Sequence, residues 1–356
     1  MTSTPRIRLI PFDQITLGQK RRDLVKGLIP RAGLTIVWGP PKSGKSFWVF
    51  DLVMHVALGH EYRGRRVQPG PVVYCAFEGQ SGIEARAEAF RLRFLAEDTA
   101  SIPFYLEPVA LDLVADHAEL IEVIRRQLDT TLPVAVVLDT LNRSLRGSES
   151  SDEDMSAYVR AADAIRDAFD CAVIVVHHCG VDGSRPRGHT SLTGAADAQI
   201  SVKRETDGTI TVELELAKDE PQGIVVANRL ETVVVGTDED GDDIVSCVIV
   251  PAEGDGIERQ SRVSGAAKTA LDLLQKAIDE AGQLAPGSPH FPPGARTIPI
   301  STWRSYWETG TPSDTDKPDS RRKAFVRARD KLQSLGRIGI WTDLVWITDP
   351  ARTPRT

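Results

Sequence analysis

The stretch Gly39-Pro40-Pro41-Lys42-Ser43-Gly44-Lys45-Ser46 fits G-x-x-x-x-G-K-[ST], the Walker A or P-loop pattern. An ordinary glycine-rich turn can match it by accident, so the flanks decide. Before it runs Leu34-Thr35-Ile36-Val37-Trp38, an apolar run of strand length. After it, Phe47 to Leu58 reads as a helix with Phe47, Phe50, Val53, Met54 and Ala57 on one face. Strand, glycine-rich loop and helix is the context that the pattern requires. The glycines allow close backbone approach, and the loop N–H groups with the helix amino end then cradle phosphates. Residues 39–46, with Phe47, are a predicted nucleotide site. Lys45 is expected to reach the β- and γ-phosphates, and the Ser46 hydroxyl to bind Mg2+.

Working outward, Val72 to Phe77 is a second apolar run, and it ends in Glu78-Gly79. An acid just beyond a buried strand's carboxyl end sits where open α/β sheets place ligands. Glu78 is the candidate base that orients an attacking water; the alternative is a solvent-facing turn glutamate. Glu84 to Leu95 reads as an arginine-rich helix, Phe104 to Leu106 as a short strand, and Ala118 to Leu128 as an amphipathic helix. Val134 to Leu138 is fully apolar and ends in Asp139, the Walker B pattern. That pattern is weak alone and strong after a Walker A. Asp139 is expected to hold Mg2+ opposite Ser46, with water between.

Asn142 to Ser156 is polar, with Arg143 and Arg146 followed by an acidic run, and Met155 to Phe169 reads as a helix. Ala172 to Val176 is the next buried strand, and it ends in His177-His178. Side chains alternate across a strand, so only one of the pair faces the P-loop side. His178 is the candidate γ-phosphate sensor; metal ligation and a structural histidine are the alternatives. The loop from Gly180 to Leu192 carries Arg185, Arg187 and His189 and is a candidate DNA contact, or else a solvated surface loop.

Continuous apolar runs separated by helices indicate a parallel sheet covered on both faces. From Ala198 the pattern changes. Ile210, Val212, Leu214 and Leu216 alternate with polar residues, and Asp207-Gly208 is a hairpin signal. Ile224 to Val235 and Ile244 to Val250 read as further, antiparallel strands. The acidic turn between them, Asp238 to Asp243, lacks calcium-loop spacing. The expected organisation is an α/β P-loop domain over 1–250 with a lead-in at 1–33, a linker at 251–263, a small domain over 264–348 and a tail at 349–356. The lead-in segment Val25 to Pro30 is expected at the sheet edge or near the nucleotide base, or as a plain connector. In the small domain, Ala266 to Ala281 is a helix, and a Pro/Gly-rich stretch, Leu284 to Pro299, follows. Ser301 is a candidate N-cap for a helix bearing Trp303, Tyr306 and Trp307. A basic helix from Asp319-Ser320 to Leu335, ended by Gly336, carries Arg321, Arg322, Lys323, Arg327, Arg329 and Lys331 around an apolar stripe. With the hairpin Ile338 to Ile347, this order suggests a winged-helix-like domain. Its charges suit duplex DNA or are a solvated helix face.

Composition narrows the classes. The chain has 356 residues and a net charge of −7, so the whole molecule is not an electrostatic trap for nucleic acid; contacts must come from local basic patches. No apolar run approaches the roughly 20 residues that span a membrane, and Met1 to Arg8 lacks a signal-peptide apolar core. The cysteines, Cys75, Cys171, Cys179 and Cys247, include no C-x-x-C pair. Buried reduced thiols in a cytoplasmic protein are the expectation, and a zinc site is not.

The order GPPKSGKS, VVYCAFEG, VVLDT and VIVVHH resembles the plasmid- and phage-encoded RepA-type ATPases of the RecA/DnaB-like hexameric helicases, over about residues 24 to 235. The resemblance implies a RecA-like core, its parallel sheet extended by antiparallel strands, and ATP hydrolysis with Mg2+ at the subunit interfaces of a homo-oligomeric ring. Lys45 and Ser46 match the phosphate and Mg2+ residues, Glu78 the catalytic carboxylate, Asp139 the Walker B acid and His178 the sensor. Arg187-Gly188 matches the R-G pair after the sensor loop. Where the RepA-type pattern then has an arginine finger, this chain has Asp197; Arg204 and Lys218 are the substitutes for a cation acting in trans. The implied function is a DNA replication helicase or helicase-like ring, with single strands passing the ring loops. An ATP-switched DNA-binding regulator or loader, or a recombination-type ATPase, is the alternative.

Overall fold

The computed structural model describes residues 10–14, 23–78, 80–95, 101–180, 183, 185–218, 223–252, 265–287, 291–292, 294–310, 318–335 and 337–348. After a 3-10 turn at Phe12–Gln14, strands β1 (Asp23–Val25) and β2 (Ile29–Pro30) pair antiparallel. Leu24, Val25, Leu28 and Ile29 are buried in the same cluster as the P-loop helix. The segment feeds the amino end of β3 (Leu34–Gly39), so it is a core hairpin and lies away from the phosphate loop.

Every residue of β3 is buried, and the strand runs through the P-loop into α1 (Lys45–Leu58). There follow β4 (Val72–Ala76), α2 (Gln80–Phe94), β5 (Phe104–Glu107), α3 (Leu113–Leu128), β6 (Ala135–Asp139), α4 (Leu141–Ser144), α5 (Asp152–Phe169), β7 (Ala172–His178), α6 (Thr190–Ala195) and β8 (Ala198–Arg204). With β9 (Ile210–Ala217), β10 (Ile224–Thr237) and β11 (Asp243–Pro251) they build a nine-stranded sheet, order β11-β10-β9-β8-β3-β7-β6-β4-β5. β8, β3, β7, β6, β4 and β5 run parallel, and β9 to β11 continue antiparallel. This is the expected α/β core. The change of direction comes after β8, one strand later than the sequence pattern suggests.

Alternation sorts the strand side chains onto two faces. Val37, Tyr74, Val137 and Ile174 join one cluster with α1. Ile36, Val73, Val136 and Val175 join the other, with α3 and α5. α1 is buried on more than the single face expected, because β11 folds back against both α1 and α2; Trp48, Val49, Leu52 and Val56 are all enclosed. Gly59, at φ 70, ends the helix and returns its N–H to His55 and Val56. Asp112 caps α3 and Ser151 caps α5.

β9 departs from simple alternation. Leu214 pairs with Ile200 and Leu216 with Gln199, so Glu215 is the extra residue of a bulge. Its carboxylate accepts from Trp38 Nε1 at 3.0 Å and Gln199 Nε2 at 2.9 Å. Beyond the bulge the faces swap, and Leu216, expected inside, is exposed. The acidic turn closes on itself: Asp238 Oδ1 accepts from the Asp240 and Asp242 amides at 3.0 and 2.9 Å. Cys75 and Cys171 are buried, whereas Cys179 and Cys247 are half-buried. Among the described residues, no helix is long and apolar enough to cross a membrane.

A second unit has its own core. It comprises α7 (Gly265–Ala281), β12 (Gln283–Leu284), β13 (Arg296–Pro299), α8 (Ile300–Gly310), α9 (Pro318–Ser334), β14 (Ile338–Trp341) and β15 (Leu344–Ile347). The Pro/Gly-rich stretch supplies β13, with Thr297 and Ile298 buried, which joins the hairpin in the sheet β12-β13-β15-β14. Trp303, Trp307, Phe325, Ala328 and Leu332 fill the centre, and Trp303 Nε1 donates to Ala270 O at 2.8 Å. α8 starts at Ile300, so Ser301 lies in its first turn and is not the cap. Most of the expected linker, Gly336 and the tail lie outside the described residues.

One charged pair is sealed inside the larger unit. Asp51 on α1 is 2% exposed and meets Arg63 Nη2 at 2.9 Å, and Arg63 Nε reaches Asn228 Oδ1 at 3.3 Å. Burial pushes the Asp51 carboxyl up from 3.8 to about 7 against the pull of Arg63. The folded state thus holds this proton more tightly than the unfolded chain, so stability falls as pH rises from about 4 to about 7. Urea unfolding of Asp51→Asn across this range will lack that slope. The parent's advantage over the variant will therefore be greatest near pH 4 and shrink as pH rises to about 7, where Asp51 ionises in its buried place.

Candidate active site

The P-loop is held by close backbone packing. Gly39 has φ 158, and a Cβ there would stand 2.1 Å from Val202 O. Gly44, at φ 94, would place one 2.5 Å from Ile210 Cδ1. Pro41 and Lys42 form the exposed tip, while Ser43 is buried. Lys45 is also buried; its Nζ donates to Gly39 O at 2.9 Å and Pro40 O at 2.8 Å. Burial pulls its pKa below the usual lysine value, opposed by the Asp139 carboxylate.

The register of β3, β7, β6 and β4 aligns the ends of these strands: Gly39 pairs with His178, Asp139 with Val176 and Ala76 with Asp139. Ser46 Oγ donates to Asp139 Oδ1 at 3.1 Å, and Tyr74 OH donates to Oδ2 at 2.5 Å. Burial raises the Asp139 pKa, and the Tyr74 and Ser46 hydroxyls, then Arg86 and Lys45, oppose it. A hydroxyl and a carboxylate beside a phosphate loop are the hard oxygen donors that Mg2+ takes, with phosphate and water completing the shell. Among the described residues no cluster of three or more His, Cys, Asp or Glu could hold a metal. Two neighbours were not assigned from sequence: Tyr74, and Arg86, whose guanidinium lies 4.3 Å from the Phe47 ring centroid. Tyr74 lies three residues before the end of an apolar run, where nothing in the motif marks it.

Glu78 lies just past β4 and is 43% exposed. Thr140 Oγ1 donates to its Oε2 at 3.1 Å, and Arg143 Nη2 stands 3.9 Å from Oε1. His177 is fully buried, and its Nε2 meets Arg187 O at 2.8 Å. His178 is half-buried in the electrostatic field of Lys45, Glu78 and Arg187. Burial first, then Lys45, lowers the His178 pKa, so the ring is neutral near pH 7.

The basic loop is tied down more than its composition suggests. Arg187 Nε pairs with Glu149, and the Arg187 amide donates to His178 O at 3.0 Å. His189 is the N-cap of α6, and its Nδ1 lies 3.1 Å from Asp152 Oδ1. Arg185 is exposed; Val181, Asp182 and Ser184 lie outside the described residues. Arg204 is the exposed last residue of β8, two residues past Val202, whose carbonyl packs on Gly39 of this chain's own P-loop. Lys218 sits at the opposite end of the sheet: its amide donates to Asp197 O at 3.0 Å, and its Nζ pairs with Asp197 Oδ1 at 2.8 Å. On α9, Arg322, Lys323 and Arg327 are exposed and line a shallow groove with Val326, and Arg321 is half-buried. Arg329 pairs with Asp330, and Lys331 stands 3.8 Å from Glu213.

A family profile described as an AAA domain matches residues 5–184, just over half of the chain. No curated protein matches the sequence. Among similar solved structures is one titled "Crystal structure of the RadB recombinase", 20% identical, with a TM-score of 0.42, covering 56% of this chain and 88% of that one.

Tyr74→Phe removes a hydroxyl that favours ionised Asp139. The Asp139 pKa then rises further, and the acid limb of Mg2+-dependent nucleotide binding will move to higher pH. Binding of a fluorescent nucleotide across roughly pH 4 to 8, from the ordinary carboxylate range upward, reads the shift.

Proposed function

The chain belongs to the AAA domain family, and on that premise we propose that it is a DNA-stimulated, ring-forming ATPase of the RepA type, acting as a replication helicase or helicase-like motor. The observation that carries this reading is the convergence of Lys45, Ser46, Asp139 and Glu78 at the carboxyl edge of one parallel sheet, with a basic loop continuing from the next strand end. In this reading the P-loop amides and Lys45 bind the triphosphate. Ser46 and Asp139 would hold Mg2+, which supplies neutralisation of phosphate charge when bound. Glu78 takes the proton of the attacking water, and Thr140 orients its carboxylate. His178, neutral and facing the same field, hydrogen-bonds a γ-phosphate oxygen. Lys218, at the far end of the sheet from its own P-loop, is the better placed of the two substitutes for a trans cation, because Arg204 lies beside the site of its own chain. Using Lys218 requires release from Asp197.

A second reading, an ATP-switched DNA-binding regulator, draws on the C-terminal unit. Three helices with a hairpin joined by β13 support a winged-helix reading of that unit, with Arg322, Lys323 and Arg327 as phosphate contacts. Slow ATP turnover with tight duplex binding favours it over the motor.

ATP turnover without DNA, with single strands and with duplex tests both readings. For the motor, single strands will accelerate hydrolysis, and Glu78→Gln will bind ATP but lower kcat by about 100-fold or more. Equal turnover by Glu78→Gln and the parent removes Glu78 from catalysis. Reversing Arg322 and Arg327 to Glu will flatten the log–log salt dependence of duplex binding by about 0.9 for each phosphate left without its cation. Basal hydrolysis will be retained.

A further inference from the structure

Glu149 is the point where two arms of the candidate site meet. In the first arm, Thr140 bonds Glu78, and two residues later Asn142 Nδ2 donates to Glu149 Oε1 at 2.8 Å. In the second, Cys179 N donates at 3.2 Å to Gly39 O, the carbonyl that also takes Lys45 Nζ. The Arg187 amide donates to His178 O, and the Arg187 guanidinium pairs with Glu149 Oε2. The contact also runs through backbone. His189 N donates to Glu149 O at 2.7 Å, and Gly188, at φ 96, would bring a Cβ within 2.5 Å of that oxygen. The segment after Asp139 and the loop after His178 are therefore joined at one residue.

The charges at this junction are unequal in exposure. The Glu149 side chain is 9% exposed, whereas Arg187 keeps 46%. Burial acts to raise the Glu149 pKa, but the bonds from Arg187 and Asn142 outweigh it and hold the carboxyl below its usual range. A carboxylate and a phosphate offer a guanidinium the same charge sign and the same paired acceptors.

We propose that Glu149 is a positioning residue that keeps the basic loop docked by occupying Arg187, and that a single-strand phosphate takes Arg187 in its place. The proposal rests on the DNA-stimulated reading given above. The exchange ties DNA to the nucleotide site through both arms, and such coupling is reciprocal: whatever nucleotide does to DNA affinity, DNA does to nucleotide affinity.

The test is binding of a fluorescent single-stranded oligonucleotide to the full chain without nucleotide, over a salt series. The proteins are the parent, Glu149→Gln, Glu153→Gln and the double variant Glu149→Gln/Arg187→Ala. Glu153 is exposed in the first turn of α5, so its variant removes the same unit of charge nearby without touching Arg187. Glu149→Gln will bind more tightly, and its log–log salt slope will steepen by about 0.7, the value for one further phosphate neutralised on a single strand. Glu153→Gln will keep the parent slope, and Arg187→Ala will cancel the gain. If Glu149→Gln keeps the parent slope, or the gain persists without Arg187, the proposal is overturned while the DNA reading stands. If neither the parent nor any variant binds single strands, both are overturned.

Discussion

A lysine ammonium and an aspartate carboxylate, both taken out of water, stand at the carboxyl edge of one parallel sheet. Charges buried in this way are costly unless hydrogen bonds and opposite charge meet them. Lys45 is met by two loop carbonyls, and Asp139 by two hydroxyls from different elements. The geometry of the strands that deliver these groups is thereby constrained. β3, β7, β6 and β4 must end in register, and the loop must pass close enough to β8 and β9 that Gly39 and Gly44 have no room for a side chain.

The larger unit and the smaller one solve the packing problem differently. The first places a sheet between two apolar layers and seals an ion pair behind the P-loop helix. The second gathers two tryptophans and a phenylalanine among three helices and lays a short sheet beside them. Its basic helix directs Phe325, Ala328 and Leu332 inward, which leaves Arg322, Lys323 and Arg327 to the surface.

Much of this was legible from residue order. The P-loop, the acids Glu78 and Asp139 at the ends of two apolar strands, and the small unit's apolar stripe are local signals, and local signals survive in one dimension. Leu216 shows where legibility ends: its alternation is perfect in sequence, yet a bulge at Glu215 turns it outward. The bulge answers a need elsewhere, a partner for the buried Trp38 indole. Glu149 was likewise invisible, one acid in an acidic run, because its meaning depends on Asn142 and on Arg187 from a distant loop. β13, inside the Pro/Gly-rich stretch, is too short for periodicity to mark. The role of Tyr74 arises only when β4 lies next to β6.

The strand order also bears on how the chain matures. β3 is made early, yet its two neighbours in the sheet are β7 and β8, which are made much later. At about 5–20 residues per second of synthesis, the interval from Gly39 to Ala172 lasts on the order of ten seconds. Throughout it, a six-residue apolar strand has neither flanking partner. The candidate site itself waits longer, since its loop leans on Val202 and Ile210. A nascent chain of this protein therefore carries its most recognisable motif well before that motif has a shape, and the central strand is the segment most in need of shelter while the ribosome works.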